Sequence, residues 1–243
     1  MSMTEKTRGI VLHQIRYSDS GIVVWIYSRK FGRQSLMIKG VRNKKSGNQT
    51  ALFQPMSVLD LVIYYKESRG MQTVKEFYPA YSPSDIFFNI RKTSVAIFLG
   101  EVLATVLREE TPNEELYDFL ESSVIYFDRC TGDYANFHIA FLSGLGSFLG
   151  FEPGRRTDST CKYFDLVNGS FTAFPPVHGN YADEQISGIL AAFFATSYEN
   201  TNRIALTGAV RNEVLDTLMK YYSIHLPGLK KIRSLEVLKQ VFS

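Results

Sequence analysis

Seven cations pose the first chemical question. Arg29, Lys30 and Arg33 surround one short connector, and Lys39, Arg42, Lys44 and Lys45 fill the segment 38–46. Lysine and arginine on flexible stems follow successive phosphates without reading bases. Gly40 within the second run and Gly47 just after it let the backbone approach a ligand closely. Tyr27, Phe31, Tyr64 and Tyr65 lie in or beside the same segments and offer stacking faces, although most such aromatics simply fill a core. The competing reading of the Lys39–Lys45 run is a solvated loop.

Other chemistries find less support. There is no P-loop, no H-E-x-x-H, no C-x-x-C and no nucleophile elbow. Gly144-Leu145-Gly146-Ser147-Phe148-Leu149-Gly150 is glycine-rich but matches no nucleotide-binding spacing and follows no strand, so close helix packing and a cap at Gly150 are expected. Glu101 sits in an apolar stretch with no second catalytic group near it. The four histidines, His13, His138, His178 and His225, match no metal spacing, and only Cys161 and His178 share one irregular segment. Two cysteines, Cys130 and Cys161, exclude a disulfide framework and a four-thiolate site. The expectation is a non-enzyme without metal or cofactor.

Charge is segregated along the 243 residues. Residues 1–80 hold 13 Lys/Arg against 5 Asp/Glu, residues 81–182 hold 7 against 13, and residues 183–243 hold 7 against 6. A first third of net +8 on a chain of net +3 points to a polyanionic partner for that third. Hydrophobic content of 45% and charged content of 21% exclude a disordered chain. The start lacks a signal-peptide run, and Thr93–Leu107 is too short to span a bilayer, so no membrane role and a cytoplasmic, nucleoid-associated protein are expected.

These residues need a scaffold. Strand signals run over 9–15, 21–27, 34–39 and 58–65, with a shorter fifth over 71–77. Five strands in about 75 residues fit an OB-type β-barrel, with an SH3-like barrel as rival. Helices follow. Ser82-Pro83 reads as a helix start ahead of Ile86, Phe87, Ile90, Ile97, Phe98, Val102 and Val106 at helical spacing. Thr111-Pro112-Asn113-Glu114 has capping-box spacing before a second helix. A third helix is expected over 133–149, and others over 182–198, 211–222 and 234–241. Between them, Pro153, Gly154, Asn168, Gly169, Pro175, Pro176 and Gly179 break regular structure. The fold class is thus α+β, organised as a barrel domain (1–80), a helical domain (81–151 and 183–243) and an irregular insert (152–182).

Several segments in order resemble the bacterial RecO family of DNA repair proteins. They are Gly9-Ile10-Val11-Leu12, Tyr17-Ser18-Asp19-Ser20, Lys39-Gly40-Val41-Arg42-Asn43-Lys44-Lys45-Ser46, Leu52-Phe53-Gln54-Pro55, Gly100-Glu101-Val102-Leu103, Glu110-Thr111-Pro112-Asn113-Glu114-Glu115-Leu116-Tyr117, Tyr222-Ser223-Ile224-His225 and Arg233-Ser234-Leu235-Glu236-Val237-Leu238. The resemblance implies an N-terminal OB domain, a helical domain and a small zinc-finger-like insert. It implies binding of single- and double-stranded DNA, strand annealing and recombination mediation. In that last role the family works with RecR, and often RecF, to load RecA on DNA coated by single-stranded DNA-binding protein, whose acidic C-terminal tail the family also binds. Many members carry four cysteines in the insert, where this chain keeps only Cys161, so packing is expected to replace metal. Some members place a basic residue before the third helix, where this chain has Tyr134-Ala135-Asn136, so no tail-pocket residue carries over. An RNA-binding OB protein and an enzyme with an unrecognised site remain the rival readings.

Overall fold

The computed structural model describes residues 3–41, 49–108, 111–132, 134–229 and 231–242. It is α+β. Five N-terminal strands, β1 (Met3–Arg16), β2 (Ile22–Ser28), β3 (Gly32–Ile38), β4 (Val58–Tyr65) and β5 (Gln72–Tyr81), are joined in the order β1-β2-β3-β5-β4 and close into a barrel. All neighbouring pairs are antiparallel except β3 with β5, which meet in parallel over Leu36↔Gln72 and Met37↔Thr73. Alternation drives the burial. Val24 and Ile26 of β2, Leu36 and Ile38 of β3, and Leu59, Leu61 and Ile63 of β4 point inward with Val11, Val41 and Phe53.

β1 is long because it serves two partners. Met3–Ile10 pairs with β4, and Gly9–Arg16 pairs with β2, with an irregularity between Val11 and His13. Helix α1 (Ile90–Val106) packs on β1. Its backbone comes close at Gly100, where an added Cβ would lie 2.7 Å from both the Leu12 carbonyl oxygen and Pro55 Cβ. Helix α2 (Glu114–Arg129) completes the same compact unit, Met1–Arg129.

The second compact unit is Cys130–Ser243. It contains α3 (Phe137–Phe148), a small sheet of β6 (Tyr163–Asp165), β7 (Ser170–Thr172) and β8 (Tyr181–Ala182), then α4 (Glu184–Phe194), α5 (Gly208–His225) and α6 (Ser234–Val241). The division falls at Arg129–Cys130. α1 and α2 are grouped with the five strands in the first unit.

Several local expectations shift for identifiable reasons. α1 begins at Ile90, capped by Asn89 Oδ1. Residues 84–88 form a separate turn instead, with the N–H groups of Ser84, Asp85 and Ile86 all donating to the Asp128 carboxylate at 2.9 Å. Ile90 and Ile97 belong to the exposed face of α1 rather than to its packed stripe. In α2 the cap is Asn113, whose Oδ1 accepts from Leu116 N at 2.9 Å, rather than Thr111. α3 starts after Asn136, whose side chain bonds Ile204 O and Arg211 Nε. Gly150 ends α3 with φ +82°, and Phe151 N returns to Gly146 O at 3.1 Å, the glycine stop read from sequence.

Candidate nucleic-acid interface

The two basic connectors lie at opposite ends of one hairpin. β2 runs from Ile22 to Ser28, the turn carries Arg29 and Lys30, and β3 returns from Gly32 to Ile38 with Lys39 just beyond. The pairing Ile22↔Ile38 and Ser28↔Gly32 sets the separation at about six residues, or ~20 Å at ~3.3 Å per residue. The cations therefore form a line along the hairpin rather than one cluster.

Near the turn the charges have partners. Arg29 Nη1 donates to Asp118 Oδ1 at 2.9 Å, and its guanidinium lies 5.4 Å from the Tyr117 ring centroid. Lys30 Nζ donates to Glu5 Oε2 at 2.6 Å and sits over Phe31. Arg33 lies over the Trp25 ring at 5.8 Å, and His13, on the neighbouring strand, stacks on the same indole at 5.2 Å between centroids. These three planar groups come from β1, β2 and β3. Burial lowers the His13 pKa, with nearby Glu101 acting in the opposite sense, so the ring stays neutral near pH 7. Glu101 thus faces the barrel as a half-buried structural neighbour.

At the far end Lys39 is exposed and Gly40 takes φ +78°. Val41 is buried in the barrel core, and Gln49 N donates to Val41 O at 3.0 Å. Arg42, Lys44 and Lys45 lie outside the described residues.

The expected stacking aromatics divide. Tyr27 is buried, and Phe31 stacks on Tyr65 at 4.2 Å as both pack against the core. Tyr64 alone of the four is exposed. Sequence reasoning passed over Trp25, His13 and Tyr17, the last exposed in the β1–β2 connector. Strand alternation around Trp25 between inward Val24 and Ile26 was the available signal. It also passed over Arg8, which forks onto Asp60 at 2.8 and 3.3 Å and reaches Glu121 Oε1 at 3.3 Å. The hydrogen bond to Asp60 holds its pKa above the ordinary arginine value.

The second unit offers a different surface. Met219, Leu229, Ile232 and Leu235 line a groove edged by Lys220, Lys231 and Glu236, between α5 and α6. Of the cations earlier in the chain, Lys92 is fully buried and committed to Asp85 and Asp128. Among the described residues no group of three His, Cys, Asp or Glu is placed to hold a metal, and no helix is long and apolar enough to cross a membrane.

Comparison with known proteins bears on the whole chain. Residues 1–82 match the family described as Recombination protein O N terminal, and residues 88–236 match Recombination protein O C terminal. The DNA repair protein RecO of Phocaeicola vulgatus is 34% identical over 241 residues, covering 99% of this chain and 100% of that protein. The RecO of Bacteroides fragilis is 33% identical over 242 residues, and that of Flavobacterium psychrophilum 30% over 242, each covering 99% of this chain and 100% of the relative. With both halves matched and relatives aligned end to end, the chain belongs to the RecO family of DNA repair proteins.

Proposed function

We propose that this chain is a recombination mediator that binds single- and double-stranded DNA, anneals complementary strands, and acts with RecR and RecF to load RecA on DNA coated by single-stranded DNA-binding protein. It does so without catalysing a covalent step. The N-terminal barrel is read as an OB-type fold, a class whose β2–β3 face commonly takes oligonucleotides. Residues 1–80 are then the DNA-binding element, 81–151 and 183–243 the helical element, and 152–182 a degenerate zinc-finger-like insert. The observation that carries the reading is the outer face of the β2–β3 hairpin, where Trp25, Arg33 and Lys39 follow one another. Phosphate contact is assigned to Arg33, Lys39, Arg42, Lys44 and Lys45, with Arg29 and Lys30 joining after exchange of their local partners.

The acidic tail of single-stranded DNA-binding protein is assigned to the helical element. Such a tail needs an apolar groove and a nearby cation. The groove of Met219, Ile232 and Leu235 beside Lys220 and Lys231 meets both needs. A cytoplasmic, nucleoid-associated location follows from the DNA role.

The test is annealing of complementary oligonucleotides precoated with the cognate single-stranded DNA-binding protein. Acceleration by the full chain supports the proposal. Absence of annealing, or tighter binding to matched RNA than to DNA, overturns it.

A further inference from the structure

Arg29 is held by α2. Its Nη1 and Nη2 fork onto the two Asp118 carboxylate oxygens at 2.9 and 3.3 Å, and Nη2 lies 3.8 Å from Glu114 Oε2. One turn further on, Glu121 takes Arg8. Glu114, Asp118 and Glu121 stand at i, i+4 and i+7 and so share one helix face. Buried Tyr117, beneath the Arg29 guanidinium, fixes that face against the barrel. A planar guanidinium makes the same two-pronged contact with a phosphate as with a carboxylate.

The pairing is also easy to exchange. The Arg29 and Asp118 side chains are 42% and 56% exposed. Exposed ion pairs of this kind contribute little to stability, so a phosphate replaces the carboxylate at little cost. A purely architectural clamp would be expected deeper, as the fully buried Lys92 is in the same unit.

We propose that the acidic face of α2 is a built-in phosphate mimic: Asp118 and Glu114 occupy Arg29 in the free protein and release it to the nucleic-acid backbone. The inference rests on the DNA-binding reading above and adds a regulated contact to it. Arg29 then contributes to binding only after exchange, and the free barrel shows less positive potential than its sequence suggests.

The experiment uses the full-length protein and a thymidine oligonucleotide, with affinity measured across a salt series. Glu114→Gln with Asp118→Asn should raise affinity several-fold and, since the wild type makes this contact only in the complexes where exchange has occurred, steepen the dependence of log affinity on log salt by up to about 0.7, the increment for one phosphate on a single strand. Adding Arg29→Ala should abolish both gains. A charge-matched control, Glu67→Gln with Glu213→Gln, should reproduce neither. A gain that survives Arg29→Ala, or that the control matches, reflects net charge alone and overturns the mimic. A wild-type protein that binds DNA with the α2 variant unchanged also overturns it, while leaving the functional reading in place. A wild-type protein that binds no DNA overturns both. Thermal unfolding checks that each variant is folded.

Discussion

The Lys92 ammonium donates to the main-chain carbonyl of Asp128 at 2.9 Å, and both side chains are buried. The contact closes a knot. Lys92 Nζ also meets Asp85 Oδ2 at 2.7 Å, while the Asp128 carboxylate collects the N–H groups of Ser84, Asp85 and Ile86 and the Tyr81 hydroxyl. The end of β5, the start of α1 and the end of α2 are thereby fastened at one point.

Removing either side chain should therefore cost stability. Asp128→Ala strands three backbone donors, each worth about 1–3 kcal/mol when left unsatisfied, with partial rescue by water. A loss of about 3 kcal/mol is expected from urea unfolding of the variant. Burial pushes the Asp128 pKa up, but the hydrogen bonds from Ile86, Ser84, Asp85 and Tyr81 outweigh it and the net shift is downward. A folded pKa below the unfolded value of 3.8 means the stabilisation is present above that pH and is lost as pH falls through the folded pKa. Wild-type stability should thus fall more steeply below about pH 4 than that of Asp128→Asn. Equal acid profiles would rule this linkage out.

Two helical glycines should respond to alanine with opposite sign. Alanine is favoured over glycine in a helix interior by about 1 kcal/mol. At Gly188 in α4 an added Cβ meets nothing within 4 Å, so Gly188→Ala should stabilise by roughly 0.5–1 kcal/mol. At Gly100 the new methyl would press on the Leu12 carbonyl and Pro55 at 2.7 Å, contacts that backbone and ring cannot easily yield. There overpacking should win, with a loss of about 1–3 kcal/mol. Denaturant midpoints of the two variants decide this, and a stabilised Gly100→Ala would show that α1 sits further from β1.

The insert should be indifferent to metal. Phe164 is fully buried against Phe171, Phe194 and Tyr221, and its N–H is taken by Ser187 Oγ at 2.8 Å. Asp165 Oδ1 caps the β6–β7 turn through Val167 N and Asn168 N, and Asp165 also meets His178 Nε2 at 3.2 Å. Asn180 N donates to His178 Nδ1, which leaves Nε2 carrying the proton toward Asp165. Gly169 takes φ +62° at that turn, and a Cβ there would meet the Tyr221 hydroxyl at 2.7 Å. A chelator should leave the melting temperature unchanged, and Phe164→Ala should lower stability by about 3–5 kcal/mol. One zinc per chain in protein purified without chelator would contradict this.

What the sequence discloses and what it hides follow from the range of the interactions. Alternation marks β2 and β4, because each carries one inward face, and the glycine at 150 marks the end of α3. The long reach of β1 is not readable, since its outer half is defined by pairing with β4 some fifty residues away. Ser82-Pro83 resembles a helix start locally, but it leads into a turn whose amides bond Asp128, over forty residues on, and α1 begins only at Ile90. The basic line is legible as charge; the local partners of Arg29 and Lys30 are not, because Asp118 and Glu5 become neighbours only after folding.

The basic line should reveal itself through salt. Removing one cation from a phosphate lowers the slope of log affinity against log salt by about 0.7 on a single strand and by about 0.9 on a duplex. Replacing Arg42, Lys44 and Lys45 together by alanine should weaken DNA binding across sequences and flatten the slope by roughly 2–3. Lys39→Ala should act in the same sense by a single phosphate, since Lys39 is exposed just beyond the end of β3. Arg33→Ala should differ in kind. Its guanidinium lies over Trp25, so the substitution also uncovers part of an indole that Arg33 and His13 both cover. A base stacked on that ring contributes about 1–3 kcal/mol. Arg33→Ala should therefore lower the salt slope while losing less affinity than Lys39→Ala, and Trp25→Ala should weaken single-strand binding with the slope unchanged. Folding should survive the Lys39 change, because an exposed charge contributes little to stability. A folded triple variant with wild-type affinity and slope would move the DNA path off this hairpin.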